Sequence, residues 1–161
     1  MKRKYIGALS ALLLLASASL FANAGMGVQG GYSISNDMGG ANAAVTLKIS
    51  GFPMVFAADV NVNRGFISTG ITADYWIVNP QLAGILHWYT GPGIDASLVF
   101  TGNSFGGVYL AGRWVAGINV FLSYTLELYL QAAGELGLTI ANDVDFPKWR
   151  VPLDLGFRFW F

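Results

Sequence analysis

The sequence predicts an all-β protein: an eight-stranded antiparallel up-and-down β-barrel that spans a membrane, preceded by a cleavable helical signal peptide. Three observations carry this reading. Hydrophobic residues make up 54% of the 161-residue chain and charged residues 11%, less than half the roughly 25% charged content of a soluble domain. After the first 24 residues, no stretch is an uninterrupted apolar run of the about 18 residues that a membrane-spanning helix requires. Apolar and polar residues instead alternate with period two, segment after segment, and the charges keep to one parity.

Residues 1–24 read as a secretory leader. Lys2, Arg3 and Lys4 form a basic start, Ile6 to Phe21 a short apolar core, and Ala22-Asn23-Ala24 an A-x-A cleavage site, so the cut is expected before Gly25. The apolar core is short for an uncleaved anchor. This divides the chain into a signal peptide, 1–24, and a barrel, 25–161, exported through the Sec pathway. Without a cysteine, neither a lipid-anchored N-terminus nor a disulfide framework is available. Cleavage removes three of the nine basic residues and no acid, which leaves a net charge of −3. That balance disfavours nucleic acid as a partner.

Eight alternating segments follow, at about 26–35, 43–50, 54–63, 66–77, 84–99, 106–117, 124–137 and 150–161. In the third, Phe56, Ala58, Val60 and Val62 alternate with Ala57, Asp59, Asn61 and Asn63. In the fourth, Ile67, Ile71, Ala73, Tyr75 and Ile77 alternate with Ser68, Gly70, Thr72, Asp74 and Trp76. The seventh sets Leu126, Leu128, Leu130, Ala132 and Leu136 against Glu127, Tyr129, Gln131 and Glu135. The last sets Val151, Leu153, Leu155, Phe157, Phe159 and Phe161 against Pro152, Asp154, Gly156, Arg158 and Trp160. Turn residues separate the segments, including Ser35-Asn36-Asp37 with Gly39-Gly40, Gly51-Phe52-Pro53, Asn63-Arg64-Gly65, Asn79-Pro80, Gly102-Asn103 and Asn142-Asp143 before Pro147. With 137 residues after the leader, eight strands leave about 17 residues for each strand and its connection, which suits a tilted span of about 9–11 residues. A bilayer offers no partner to an open sheet edge, so strands of this kind must close on themselves.

One parity then faces hydrocarbon and the other a polar interior. Lys48, Asp59, Asp74, Asp95, Arg113, Glu127, Glu135, Asp154 and Arg158 fall on or near the inner face. An eight-stranded barrel is just wide enough for side chains to fill, so six acids facing three bases point to a lumen packed with ion pairs and hydrogen bonds. A narrow cation-preferring pore is the alternative, because rings of one charge sign set selectivity. Tyr75, Trp76, Trp88, Tyr89, Tyr124, Trp149 and Trp160 cluster near segment ends and are expected to form an interfacial girdle. Glycines inside segments, such as Gly91, Gly93, Gly112 and Gly156, mark bends or close approach.

No motif supports catalysis. His87 is the only histidine; a triad could be sketched from it with Ser97 and an acid, but nothing local assembles one. The chain is therefore read as non-enzymatic, with no cofactor and no metal. If both termini lie on one side, the far connections are those after segments 1, 3, 5 and 7. These are short except for 36–42 and 138–149, and the latter, with Asn142, Asp143, Asp145 and Lys148, is the candidate external contact surface for an unknown surface ligand.

The C-terminal stretch Asp154-Leu155-Gly156-Phe157-Arg158-Phe159-Trp160-Phe161 resembles the assembly signal of outer-membrane barrels, with Asp154, Gly156, Phe159 and Phe161 at its four positions. That resemblance implies periplasmic chaperones and the barrel-assembly machinery as partners during biogenesis, and outer-membrane lipid as the final surround. Asp74-Tyr75-Trp76, together with Trp88-Tyr89-Thr90-Gly91-Pro92-Gly93, resembles small barrels of the OmpA-like and OmpX-like superfamily, including spirochaete members. The resemblance implies residence in a bacterial outer membrane and a role in envelope integrity or surface interaction. A porin-like channel and an adhesin acting through external loops are the alternatives. The chain ends at the barrel, so the wall-binding domain of the full OmpA plan is not expected.

Overall fold

Residues 23–102 and 104–161 are described by a computed structural model. The alternating segments form β1 (Ala24–Ile34), β2 (Gly40–Ile49), β3 (Met54–Val62), β4 (Phe66–Tyr75), a short β5 (Gln81–Ala83), β6 (Leu86–Thr101), β7 (Ser104–Phe121), β8 (Leu126–Ile140) and β9 (Val144–Trp160). Every pairing is antiparallel. The order β4-β3-β2-β1-β9-β8-β7-β6 closes through a β4–β6 pairing into an eight-stranded barrel, and β5 lies as a flap on β6. Closure gives every long strand two neighbours, which satisfies backbone groups that hydrocarbon cannot.

The wall is staggered. From Gly25 the ladder pairs run through Lys48, Val55, Asp74, Gly93, Arg113, Glu135 and Arg150 and return to β1 at the level of Ser35, a stagger of 10 residues. Such a shear forces the strands to tilt against the barrel axis. Inward residues joined by pairing therefore climb around the wall, and a single level mixes residues from distant ladder positions.

Burial is inverted relative to a soluble protein. On β9, Pro152, Asp154, Gly156 and Arg158 are buried, whereas Leu153, Leu155, Phe157 and Phe159 are exposed. The outer wall is lined by such side chains on all eight long strands, among them Val28, Val45, Phe56, Ile71, Ile94, Leu110 and Leu130. No water-facing sheet could expose this much apolar surface. A groove of about 390 Å³ crosses that wall over Ala58 and Ala73, between Val45, Phe56, Ile71 and Ile94.

The two ends differ. One carries both the described N-terminus and Phe161, stitched together by Asn23 N–H donating to Phe161 O at 2.7 Å and Phe161 N–H to Ala24 O at 3.1 Å. At the opposite, hairpin end the connections are short. The long strands were expected to stop sooner: β8 continues to Ile140 and β9 starts at Val144, so 138–149 is not a loop, and the connection is only 141–143. Asp145 and Lys148 belong to β9. A register shift between Gly137 and Thr139 lies across from the Pro147 region, where a residue lacking an N–H cannot serve the ladder. Between β6 and β7, Gly102 takes φ +59° in a tight turn, a conformation that glycine adopts without steric cost.

At the terminal end, β4 stops at Tyr75, but the chain stays in the wall through Val78: Trp76 N–H donates to Pro53 O at 2.8 Å, Ile77 N–H to Thr90 O at 3.0 Å, and Val78 bridges Thr90. Trp76 turns into the lumen, and β5 pairs with β6 before the chain rejoins the wall. The leader expectation lies mostly outside the described residues, Ala22 included; Ala24 and Gly25 are the first two residues of β1, paired with Ile49 and Lys48.

Candidate functional site

The candidate site is the lumen, because all the buried charge converges there. Parity places Lys48 (β2), Asp59 (β3), Asp74 (β4), Asp95 (β6), Arg113 (β7), Glu127 and Glu135 (β8), and Asp154 and Arg158 (β9) on the inner face. Arg150 of β9, which the sequence reading omitted, joins them and is 3% exposed. It shares the parity of Asp154 and Arg158, but it fell at the presumed edge of its strand.

Arg150 is central. An alternating chain of charge runs across the middle of the lumen. Arg113 Nε lies 3.0 Å from Asp74 and its Nη1 3.1 Å from Glu135; Arg150 Nε lies 2.7 Å from Glu135 and its Nη2 bonds Asp95. Ser97 donates a hydrogen bond to Asp95. The chain links β4, β7, β8, β9 and β6, so it fastens strands far apart in sequence. Two bases bridging three acids give every charge an opposite partner, as a low-dielectric interior demands, and leave the chain one negative charge in excess.

Glycine makes one of these bridges possible. Gly93 pairs with both Asp74 and Arg113. A methyl group there would sit 2.7 Å from Ala73 O and 3.0 Å from Arg113 Cγ, and closer still to Asp74 Oδ1. With no side chain at 93, Arg113 reaches across an intervening strand. The same device recurs where the rings of Tyr89 and Tyr129 lie over Gly117 and Gly156, their cross-strand partners. Gly112, by contrast, meets nothing within 4 Å and explains no close approach.

A second cluster lies nearer the terminal end and is built on rings. Trp76 and Tyr89, expected at the interface, point inward and are buried, stacked at 3.6 Å with 11° between planes. Their parity is that of Asp74 and Asp95, which decides the matter. Lys48 Nζ lies 3.4 Å from the Trp76 ring centre, and the Arg158 guanidinium lies 4.0 Å from the Tyr129 ring centre. Glu127 supplies the counter-charge: it pairs with Arg158 at 3.2 Å and accepts from Asn119 at 2.9 Å and Trp160 at 3.0 Å. Val55, Val115 and Ala133 pack with Trp76 and Tyr89 in an apolar layer. Beyond them, Tyr89 donates to Gln131 at 3.0 Å, and Gln131 and Gln29 donate to Asp154 at 3.3 and 3.2 Å. Tyr75, Trp88, Tyr124 and Trp149 remain on the outside or at the rims.

At the hairpin end, residues 35–39 fold over the mouth. Met38 is buried against Val99, Tyr109 and Ala111. Asn61 donates to Met38 O at 3.1 Å, Asn63 to Gly39 O, and Ser35 Oγ to Trp149 O at 2.7 Å. Lys148 pairs with Asp37 and, at 2.7 Å, with Asp145. Two of the four residues assigned to an external contact surface thus help to fasten this loop; Asn142 and Asp143 alone lie in the exposed turn.

Between these layers, a cavity of about 20 Å³ remains, lined by Gln29, Asn42, Asp59, Asn61, Asp154 and neighbours. A wider hollow of about 820 Å³ opens at the terminal end among Asn23, Ser50, Tyr124 and Trp160. His87 and Ser97 are ten residues apart on β6, roughly 33 Å at about 3.3 Å per residue, so they cannot share a proton. Of the C-terminal signal residues, Asp154 and Gly156 face the lumen, while Phe159 and Phe161 face outward.

No protein-family model and no curated protein sequence matches the chain. Among solved structures, it is similar to the crystal structure of Neisserial surface protein A, with a TM-score of 0.55 and 15% identity over 86% of this chain and 96% of the other. It is also similar to the N-terminal β-barrel domain of OprF from Pseudomonas aeruginosa, with a TM-score of 0.53 and 15% identity over 85% and 98%. The fold is that of the small eight-stranded outer-membrane barrels.

Proposed function

We propose that this chain is an integral barrel of a bacterial outer membrane, non-enzymatic and closed to solutes, which serves envelope integrity or surface interaction. The observation that carries the reading is the inverted burial. Apolar side chains cover the outer wall on every long strand, while the charged residues of both lumen clusters are compensated inside. Only lipid outside and packed side chains inside make that arrangement stable. The end that holds both termini faces the periplasm, and the 35–39 loop and the β8–β9 hairpin face outward.

Three layers support closure. A solute would have to displace the Trp76–Tyr89 stack, break the Asp74–Arg113–Glu135–Arg150–Asp95 chain and lift Met38 from Tyr109. Each step exposes a buried charge or a ring to water. The outward Phe159 and Phe161 fit recognition by the barrel-assembly machinery, and the leader fits Sec export. Val144 and Phe146, both more than 60% exposed at the tip of the β8–β9 hairpin, favour surface contact as the outward role.

Single-channel recording tests the reading. The protein refolded into a planar bilayer, with heat-modifiable gel mobility as proof of folding, is expected to give a silent trace. Reproducible cation-preferring steps would replace it with the narrow-pore reading.

A further inference from the structure

At the terminal end of the lumen, two donors lack acceptors. Among the described residues, no carboxylate lies within ion-pair distance of Lys48. Its ammonium sits 3.4 Å from the centre of the Trp76 ring, and Tyr89 stacks on the same ring at 3.6 Å, so the two take opposite faces. Trp76 is 5% exposed, and its Nε1–H is shielded from solvent and meets no acceptor. A buried indole N–H in that state is costly and calls for a partner. Because Nε1 belongs to the ring under the ammonium, the two donors lie side by side. The Arg158 guanidinium is 5.6 Å from the same ring centre. Glu127, the acid of this cluster, is committed to Arg158, Asn119 and Trp160, which leaves two bases against one acid.

Lys48 and Trp76 line a hollow of about 310 Å³ at the terminal end, whereas Tyr89 does not. No acidic side chain lines it, and none lines the wider hollow of about 820 Å³ beside it. The carboxylates of the middle chain are held by Arg113 and Arg150. A water could accept from Trp76, but it would leave the Lys48 charge without a counter-ion. An anion answers both donors at once. We propose that this hollow binds the phosphate of a phosphodiester, held by the Lys48 ammonium and the Trp76 indole N–H. Its single negative charge matches the one base left over, and lysine serves phosphate as a point charge. Ser50 and Asn79 offer neutral donors at the edge, while Phe52, Pro53 and Phe121 supply an apolar collar for the ester's substituents. The same head group occurs in a membrane phospholipid and in a soluble phosphodiester. The orientation proposed above turns this end toward the periplasmic leaflet, but the site itself does not depend on it.

Indole NMR signals test the site. Folded, isotope-labelled protein in dodecyl maltoside is titrated with diethyl phosphate and, separately, with dihexanoyl phosphatidylglycerol; Trp76→Phe assigns the signal of interest. The expected result is a saturable downfield movement of the Trp76 N–H, with the signals of the outward Trp88, Trp114 and Trp149 unmoved by diethyl phosphate. Lys48→Gln is expected to weaken binding of either probe by about tenfold or more. Arg64→Ala, which removes an exposed base of the opposite end, should leave binding unchanged. Tighter binding of the lipid assigns the site to a membrane phospholipid; equal or weaker binding assigns it to a soluble phosphodiester. A Trp76 signal that moves with neither probe overturns the site, whether or not Lys48→Gln folds, and so does equal binding by wild type and folded Lys48→Gln. Channel steps from a protein that still binds either probe would unseat closure and leave the anion site standing.

Discussion

The middle of the lumen and its terminal end both keep charge away from water, yet they use different materials. In the middle, Arg113 and Arg150 are bridged by Asp74, Glu135 and Asp95, so each guanidinium is satisfied chiefly by carboxylates. Near the terminal end, Lys48 and Arg158 lie over Trp76 and Tyr129, and a single carboxylate, Glu127, serves the cluster with two neutral donors of its own. The first arrangement is a relay in which every link depends on the next. The second is a packed set of rings in which each charge has several lesser partners. Loss of one member should therefore hurt more in the middle than at the end.

The largest effect is expected from Arg150→Met. It strips Asp95 and Glu135 of a shared partner and leaves buried negative charge, at a cost of about 3–5 kcal/mol. Urea titration of the protein in lipid vesicles, read by heat-modifiable mobility, measures it. Adding Glu135→Gln to Arg150→Met should recover part of the loss, because the damage comes from the orphaned charge and not from missing volume.

The matching change at the terminal end, Arg158→Met, is expected to cost less, about 1.5–3 kcal/mol. Glu127 keeps Asn119 and Trp160 as donors, and the methionine side chain still lies against Tyr129. If the same titration gave equal losses for Arg158→Met and Arg150→Met, the contrast between the two regions would fall.

Gly93→Ala sharpens it from another side. The methyl group collides with Ala73 O and the Arg113 side chain, so overpacking of about 1–3 kcal/mol is expected, while Gly112→Ala, which meets open space, should change little. Near-equal urea midpoints for these two variants would remove glycine's role in the relay.

Lys148→Ala should have the smallest effect. Its pairs with Asp37 and Asp145 are partly exposed, and such pairs are worth about 0–1 kcal/mol. The loss should shrink further in 1 M salt, where the screening length falls to about 3 Å. Faster protease cleavage within 35–39 at low salt, and not at high salt, is the expected readout.

Much of this was legible in the residues. Period-two alternation separated inward from outward positions on each strand, and it put Asp74, Glu127, Glu135, Asp154 and Arg158 on the inside. The same rule, carried two residues further, would have included Arg150. Alternation in the fourth segment sets Trp76 with Asp74 on the polar face, and the same rule extended to β6 turns Tyr89 inward; the habit of assigning aromatic residues to the membrane interface pulls both the other way. The length of β8 and β9 was obscured by Asn142, Asp143 and Pro147, whose turn and breaker character suggests a long loop where a bulge absorbs the proline and the strands continue.

The sequence by itself determined the all-β class, the strand faces and the number of long strands, because these depend on local alternation and on the spacing of turn residues. Partnership was decided only by the tertiary structure. Which carboxylate meets which guanidinium follows from strand register, which sets Arg113, Glu135 and Arg150 side by side on β7, β8 and β9 and Asp74 across Gly93 from Arg113, and from the curvature of the closed barrel, which brings Asp95 of β6 to Arg150 of β9. The folding of Met38 over the mouth belongs to the same closure. No period along the chain encodes register or curvature, since both are set only when strands pair and the twisted sheet closes.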